Sequence, residues 1–307
     1  MKDNLILVSV IIPNYNHVEF LQERINSVLS QTYSNIEIII LDDHSLDNSS
    51  EIIEKYRHHP KVSHIIYNDK NSGSPFTQWK RGIEIAKGEY IWIAESDDMC
   101  DIFFIEKLMD AILSENTQVA FALSRYFDGK GKFWPTQQRL SKKDFPMSGK
   151  KFIKKYMGYT NSILNASGAI FKKKKALEIS SKIDYTKFKG VGDWLFWIVM
   201  CEQSRVSYID EPLNYFRQHG NNTTSRLSIS GDGLYELRWL FDYMKDRHLI
   251  SLKSYYYRRF WDIYYVYSDK TLSDERKKYK LEAWSATDLD YFFYKVIRFI
   301  FHQNLRK

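Results

Sequence analysis

A row of carboxylates after a short apolar segment is the first group of side chains that could do chemistry. Residues 90–94 run directly into Glu95, Ser96, Asp97 and Asp98. Neighbouring carboxylates repel one another unless a cation shares them. Oxygen ligands suit a hard ion such as Mg²⁺ or Mn²⁺, held together with substrate phosphates. The alternative is that Asp97 and Asp98 only cap the helix that follows them.

A second acidic pair, Asp42 and Asp43, closes another apolar segment, residues 36–41. Two acidic clusters at neighbouring strand ends, without adjacent lysines, are unusual in a chain whose net charge is +7. A metal–diphosphate ligand accounts for both clusters. The ion would pair with one of them, and a hydrogen-bonding base or ribose with the other.

Two more polar groups could complete such a site. Asp193 follows Gly190-Val191-Gly192 and opens a helical pattern. It is either an N-cap or a general base at a turn that a substrate can approach closely. Residues 217–224 include Arg217 and His219 together with amides and hydroxyls. All of these groups can donate to phosphate oxygens, although the same composition is typical of a polar loop.

Alternating strands and helices must position these side chains. Apolar runs of strand length alternate with segments of helical periodicity, which predicts βαβ units and a parallel, doubly wound sheet. Ligands of such sheets bind beyond the carboxyl ends of the strands, where the acidic pairs lie. The predicted strands are residues 5–12, 36–41, 62–67, 90–94, 167–171 and 206–209, with a helix at residues 193–201.

Composition excludes several classes of protein. In 307 residues, 44% are hydrophobic and 27% charged, which is typical of a globular chain rather than a disordered one. The excess of basic residues favours anionic partners. Two cysteines are too few for a disulfide framework and suit a reducing cytosol. With neither a signal-peptide pattern nor a spanning apolar stretch, we expect a cytoplasmic protein, soluble or peripheral at the inner face of a membrane.

The C-terminal part is helical and strongly aromatic. We expect a domain boundary between residues 228 and 229, which separates a domain of residues 1–228 from a helical region of residues 229–307. Residues 292–301 combine apolar side chains with Lys295 and Arg298. This pattern is compatible with contact to a membrane interface, or with packing on the domain of residues 1–228 or on a second subunit.

Taken together, these residues resemble glycosyltransferase family 2, whose members have the GT-A fold. The resemblance covers roughly residues 8–225, and the order and spacing of its pieces are far more specific than any one piece. The matching pieces are Val8-Ser9-Val10-Ile11-Ile12-Pro13-Asn14-Tyr15-Asn16, Ser27-Val28-Leu29-Ser30-Gln31-Thr32-Tyr33, Ile39-Ile40-Leu41-Asp42-Asp43-His44-Ser45-Leu46-Asp47, Ala86-Lys87-Gly88-Glu89-Tyr90-Ile91 and Glu95-Ser96-Asp97-Asp98. The implied fold is a doubly wound, mixed but mainly parallel sheet with flanking helices, followed by the helical aromatic region.

The resemblance also implies roles for single residues. Asp43 would bind the nucleobase, usually uracil, and Asp193 would be the catalytic base. Asp98 would be the direct metal ligand, assisted by Asp97 and His219. The implied nucleotide- and donor-binding residues are Pro13, Tyr15, Asn16, Asp43, Glu95, Asp97, Arg217 and His219. The chain departs from the family pattern at three places: Glu95 stands for a common Asp, Trp79-Lys80 for a common Arg-Asn pair, and Gly192 for a common acid. These departures affect the identity of the donor sugar more than the class of reaction.

The implied function is metal-dependent, inverting transfer of a sugar from a nucleotide-diphosphate donor, a UDP-sugar, to an acceptor hydroxyl. The acceptor would be a saccharide or glycolipid in surface polysaccharide or lipopolysaccharide biosynthesis, and the ion Mn²⁺ or Mg²⁺. Two alternatives remain open. One is a glycoside hydrolase with two carboxylates. The other is a non-catalytic basic module that binds nucleic acid or membrane, suggested by Lys172–Lys175. No nucleic-acid motif accompanies that run, so we expect no nucleic-acid partner.

Overall fold

The computed structural model describes residues 6–134, 139–219 and 232–304. The chain divides into two compact units. The first comprises Met1–Met157, Asn161–Lys187 and Gly192–Gly220, and the second comprises Gly158–Thr160, Phe188–Val191 and Asn221–Lys307. The boundary predicted between residues 228 and 229 lies outside the described residues.

The first unit is built on a mixed sheet. Its strands are β1 (Val8–Asn14), β2 (Ile36–Asp42), β3 (Val62–Tyr67), β4 (Tyr90–Ile93), β5 (Met99–Cys100), β6 (Val119–Phe127), β7 (Phe133–Trp134), β8 (Phe145–Ser148), β9 (Ala169–Lys172) and β10 (Arg205–Arg217). The order is β3-β2-β1-β4-β9-β6-β10-β5, with β7 beside β6 and β8 beside β10. Strands β1 to β4 are parallel, as are β6 and β10, whereas β9 is antiparallel to both of its neighbours.

Helices cover this sheet, and the predicted fold class is confirmed. The helices are α1 (Val18–Leu29), α2 (Ser49–Glu54), α3 (Pro75–Ile85), α4 (Phe104–Glu115), α5 (Gly149–Phe152), α6 (Lys173–Ser180) and α7 (Gly192–Glu202). Every residue of β1, β2 and β4 is buried. Parallel strands that are covered on both faces read as continuous apolar runs, which is why the sequence located them well.

Strand β10 is much longer than predicted. The prediction ended it at residue 209 because Pro212 follows, but it continues to Arg217. Its pairing with β6 shifts register on both sides of Pro212, so the proline occupies an irregularity where its missing N–H is tolerated. This extension matters because it carries Arg217 and His219 towards the turn after β4.

The second unit is helical, as expected from its sequence. Its helices are α8 (Asp232–Asp246), α9 (Leu252–Ser268), α10 (Asp274–Ala283) and α11 (Asp288–Asn304). The side chain of Trp284 is buried and donates a hydrogen bond of 3.1 Å to Asp262 of α9. Arg259 of the same helix forms an ion pair with Asp290 at the start of α11. Within the described residues, the helices are all too short or too polar to cross a lipid bilayer.

Candidate active site

The loops after β1, β2 and β4 meet at one edge of the sheet, because parallel neighbouring strands end on the same side. Asn14 donates to Asp42 at 2.8 Å, and Ser45 donates to the same carboxylate through its N–H and its hydroxyl. Asn16 has a φ of 54° and accepts a hydrogen bond from Leu46 N–H at 2.7 Å. Asp42 and Asn16 therefore fasten the two loops to each other.

Asp43 lies at the end of β2 and is buried. Its carboxylate accepts hydrogen bonds from Asn68 at 2.6 Å and from Gln78 at 2.8 Å. The N–H and hydroxyl of Ser72 also donate to it. A nucleobase N–H would therefore have to share or replace one of these donors. Among the other implied nucleotide- and donor-binding residues, Pro13 is buried within β1 and Tyr15 is 40% exposed.

Asp97 and His219 form the centre of the site. His219 Nε2 lies 2.9 Å from Asp97 Oδ2, and both side chains are partly exposed, at 17% each. With His17 they form a cluster in which one ligand atom from each residue lies within 4.8 Å of the other two. Burial acts to raise the pKa of Asp97, but the hydrogen bond with His219 and the nearby His17 outweigh it and hold this pKa below its usual value. Asp97 thus stays ionised in an accessible position.

Asp98 faces the protein interior instead. It is 1% exposed and accepts hydrogen bonds from Asn165 Nδ2 at 2.5 Å and from the backbone N–H of Arg217 at 3.0 Å. Asn165 in turn accepts a hydrogen bond from Asn214 of β10. Burial, with a contribution from Asp97, raises the pKa of Asp98 to about 7. Asp98 thus ties the acidic turn to β10.

Arg217 is also occupied by the protein. It is 3% exposed, its Nε donates to the carbonyl oxygen of Asp97 at 2.7 Å, and its guanidinium pairs with Glu23. The same group lies over the ring of Phe127, 4.4 Å from its centroid. Gly129, with a φ of 75°, leaves room for it, because a Cβ there would overlap the guanidinium. The guanidinium of Arg217 is therefore engaged on several sides by the protein itself.

Glu95 reaches the base of the site from the end of β4. Trp79 Nε1 donates to its carboxyl group at 2.7 Å. Burial, together with Asp97, raises the pKa of Glu95 to about 8. Trp79 also packs against Phe196 of α7, with ring centroids 5.9 Å apart. Trp79, which stands where the resemblance leads us to expect an arginine, therefore connects Glu95 with α7.

Asp193 lies in the first turn of α7 and is partly buried. Asn161 Nδ2 donates to its Oδ2 at 2.9 Å, and Trp194 N–H donates to Oδ1 at 2.7 Å. Burial raises its pKa to about 6. A carboxylate with such a pKa is ionised at neutral pH yet can still accept a proton. The preceding Gly192 packs against Phe76 of α3, since a Cβ there would lie 2.5 Å from the ring.

The side chains of His17, Asp97 and His219 offer ligand atoms that fit a divalent metal ion. Two imidazoles and an ionised carboxylate are established ligand types for transition metals, and burial lowers the pKa of His17, which keeps that ring in its metal-binding neutral form. The carboxyl groups of Asp98 and Glu95, in contrast, already accept hydrogen bonds from other groups of the protein.

The family described as Glycosyl transferase family 2 matches residues 9–179, which is more than half of the chain. The chain belongs to glycosyltransferase family 2. Curated relatives include the glycosyltransferase GlyG of Streptococcus pneumoniae, 35% identical over 42% of this chain and 42% of GlyG. Another is the poly(ribitol-phosphate) β-N-acetylglucosaminyltransferase TarP of Staphylococcus aureus, 31% identical over 68% of this chain and 62% of TarP.

A solved structure supports the fold of the family. The S. aureus TarS fragment 1–349, in complex with UDP-GlcNAc, superposes with a TM-score of 0.62 at 20% identity. The match covers 76% of this chain and 66% of the TarS chain. The chain therefore spans less than two thirds of each of these three proteins. The likeness to TarS confirms the GT-A fold that the sequence predicted.

Two residues in this family-2 site escaped the sequence analysis. His17 lies among polar loop residues, and only its distance from Asp97 and His219 reveals it. Arg24 is fully buried in α1, where its Nε donates to the carbonyl oxygen of Glu95 at 2.8 Å. Its positive charge favours the ionised forms of Glu95 and Asp98. The position of Arg24 on the apolar face of α1 could have indicated from the sequence that its charge is buried next to an acidic partner.

Proposed function

We propose that the chain is a metal-dependent, inverting glycosyltransferase that moves a sugar from a nucleotide-diphosphate donor to an acceptor hydroxyl. The single observation that carries this proposal is the pair of Asp97 and His219 at the carboxyl edge of a family-2 sheet. Both side chains are partly exposed, and the carboxyl group of Asp97 is ionised. A carboxylate oxygen and an imidazole nitrogen are both common metal ligands. Family membership disfavours the two alternatives left open by the sequence, a glycoside hydrolase and a non-catalytic module.

Asp97 and His219 would hold Mn²⁺ or Mg²⁺, with Asp98 as an internal support rather than the direct ligand. When bound, the ion neutralises the negative charge that grows on the departing diphosphate. Arg217 keeps Asp97 in place through the backbone carbonyl of that residue. The hydrogen bonds from Asn165 and Arg217 to Asp98 fix the turn that presents Asp97.

Asp193 would accept the proton of the acceptor hydroxyl. Its pKa of about 6 suits a base that works near neutral pH. Asn161 and Trp194 N–H orient the carboxylate by donating to its two different oxygens. Attack by an acceptor activated in this way displaces the nucleotide from the opposite face of the sugar, so the configuration at the anomeric carbon inverts.

A UDP-sugar is the proposed donor, and a surface polysaccharide is the proposed acceptor. TarS is described in complex with UDP-GlcNAc, and TarP is named as an N-acetylglucosaminyltransferase that acts on poly(ribitol-phosphate). Incubation with UDP- and GDP-sugars, Mn²⁺ or Mg²⁺ and candidate acceptors, followed by mass spectrometry, tests the proposal. Transfer or acceptor-free hydrolysis of one UDP-sugar supports it. Turnover of GDP-sugars alone would overturn the uridine assignment.

Asp43 should contribute to nucleobase recognition. Asp43→Asn removes a charged acceptor for the uracil N–H, so UDP should bind about 10- to 100-fold more weakly, as measured by calorimetry. Asp69→Asn makes the same charge change at an exposed position nearby in the chain and should bind UDP normally. Unchanged UDP affinity in Asp43→Asn would restrict Asp43 to holding Asn68, Ser72 and Gln78.

The exposed face of α11 supports contact with a membrane, which is one of the alternatives that the sequence left open for this region. Six apolar side chains recur at helical spacing and are 38–64% exposed, namely Leu289, Phe292, Phe293, Val296, Phe299 and Ile300. The exposed basic residues Lys295 and Arg298 lie on the same helix. An apolar stripe with adjacent cations is typical of helices that lie in the interface of anionic bilayers. We therefore propose an anionic phospholipid surface as the partner of this face.

Vesicle sedimentation tests the membrane contact. The double variant Phe292→Glu/Phe299→Glu should bind phosphatidylglycerol vesicles at least about tenfold more weakly, because burial of each phenylalanine contributes about 1.5–3 kcal/mol. Tyr256→Glu, which changes a 60% exposed aromatic of α9, is the control and should bind like the wild type. The proposal would be contradicted if the wild-type protein does not bind the vesicles but forms dimers through α11.

A further inference from the structure

His17 belongs to the same cluster as Asp97 and His219, yet the function proposed above gives it no role. The three residues come from separate segments: the loop before α1, the turn after β4 and the chain just beyond β10. All three are partly exposed, and their ligand atoms lie within 4.8 Å of one another. Three side chains with metal-ligand atoms, from distant parts of the sequence, thus lie together at one accessible position.

The orientation of His17 is fixed by the acidic turn itself. Its Nδ1 lies 2.8 Å from Ser96 Oγ, and Ser96 is 1% exposed. A hydrogen bond at one ring nitrogen commonly orients a metal-binding histidine and leaves the other nitrogen for the ion. The ring of Phe20 packs beside both imidazoles, with centroids 6.0 Å from His17 and 5.3 Å from His219. Nε2 of His17 is therefore the nitrogen available to a ligand.

We propose that His17 is a third protein ligand, so that this cluster binds a transition-metal ion before any nucleotide arrives. This inference rests on the proposed function only for the presence of a metal. A site with one carboxylate depends on substrate phosphates to complete the coordination of Mg²⁺. Two added imidazoles favour Co²⁺, Zn²⁺ or Mn²⁺ over Mg²⁺, because Mg²⁺ prefers oxygen ligands. This chain should therefore discriminate against Mg²⁺.

The separations are compatible with one ion. Two ligands on the same metal lie at most about 4.4 Å apart, which is twice a bond of about 2.2 Å. The ligand atoms of the cluster lie within 4.8 Å of one another, so binding requires the longest separation to shorten by at least about half an ångström, and by about 1 Å in a tetrahedral site. Partly exposed side chains can make such a movement without rearrangement of the sheet.

Titration of the nucleotide-free protein with Co²⁺, followed by visible absorption, tests this inference. The test variant is His17→Asn, because an asparagine amide can replace Nδ1 in the hydrogen bond to Ser96 but supplies nothing in place of Nε2. It should bind Co²⁺ at least about tenfold more weakly and shift the absorption bands. His58→Ala, which removes an exposed histidine outside the cluster, should match the wild type. An excess of Mg²⁺ should leave the wild-type bands unchanged.

Two results would overturn the inference. Wild-type protein that binds no Co²⁺ without nucleotide would exclude a site formed by three protein ligands. Wild-type affinity and spectrum in His17→Asn would exclude His17 as a ligand. Calorimetry of UDP with Mn²⁺ on the same samples keeps the proposed function separate, because UDP binding that needs Mn²⁺ would survive both results.

Discussion

Asp97→Asn should abolish the dependence of UDP binding on Mn²⁺ and lower turnover at least about 100-fold. The amide has no negative charge with which to hold the ion, and loss of metal-derived charge stabilisation costs several kcal/mol in the transition state. The substitution preserves size and can keep a hydrogen bond with His219. The expected measurements are calorimetry of UDP with and without Mn²⁺, and product formation by mass spectrometry.

Asp98→Asn is the matched control because it makes the same change one residue later. Asp98 is buried, and an amide at this position can still accept one of its two hydrogen bonds, from Asn165 or from the Arg217 N–H. We therefore expect Mn²⁺-dependent UDP binding to weaken in Asp98→Asn, but to persist, whereas Asp97→Asn should lose it. The sequence resemblance implies the opposite order, with Asp98 as the direct ligand. Loss of the Mn²⁺ effect in Asp98→Asn, but not in Asp97→Asn, would restore that assignment.

Asp193→Asn should lower turnover by about 10²–10⁴-fold while donor affinity changes little. A base acts on the acceptor hydroxyl in the transition state, whereas in the proposed function the residues around Asp97 would bind the donor. The local hydrogen bonds can survive, because Asn161 Oδ1 has no partner among the described residues and a rotated Asn161 amide can accept from the new side chain. Single-turnover kinetics with the true acceptor is the appropriate measurement.

The pH dependence provides a second readout for Asp193. Because its pKa is about 6 in the folded protein, turnover in the wild type should rise as the pH increases through 6 and the base loses its proton. Its folded pKa exceeds an unfolded value of about 4, so the ionised carboxylate costs stability as the pH rises from 4 through 6. Asp193→Asn should therefore be as stable as wild type, or more so, at pH 8, and that advantage should vanish near pH 4.

Near-normal turnover of Asp193→Asn would remove the base assignment. The sequence offers Glu202 and Asp210 as the next acidic candidates in this part of the chain. Asp210 is already paired with Arg139, and the hydrogen bonds from this arginine hold its pKa below the usual value, which disfavours Asp210 as a base. Glu202→Gln would then be the next variant to assay.

The sequence by itself determined the sheet and the edge at which the site lies. Strands buried on both faces are almost continuously apolar, and the helices between them repeat at about 3.6 residues. For this reason β1, β2 and β4 were readable without a structure. The acidic pairs that end β2 and follow β4 were readable for a related reason. Polar residues directly after a buried parallel strand can only emerge at its carboxyl end.

Only the tertiary structure decided which of these side chains face outward and which face inward. Asp97 and Asp98 are neighbours in sequence, but Asp98 bonds to the Arg217 N–H, 119 positions away, and Asp97 bonds to His219, 122 positions away. Both partners arrive because β10 continues past Pro212 and pairs with β5. Local composition does not specify such long-range pairing. It arises from the packing of whole strands, which made Asp98 an internal support and brought His17 to the cluster.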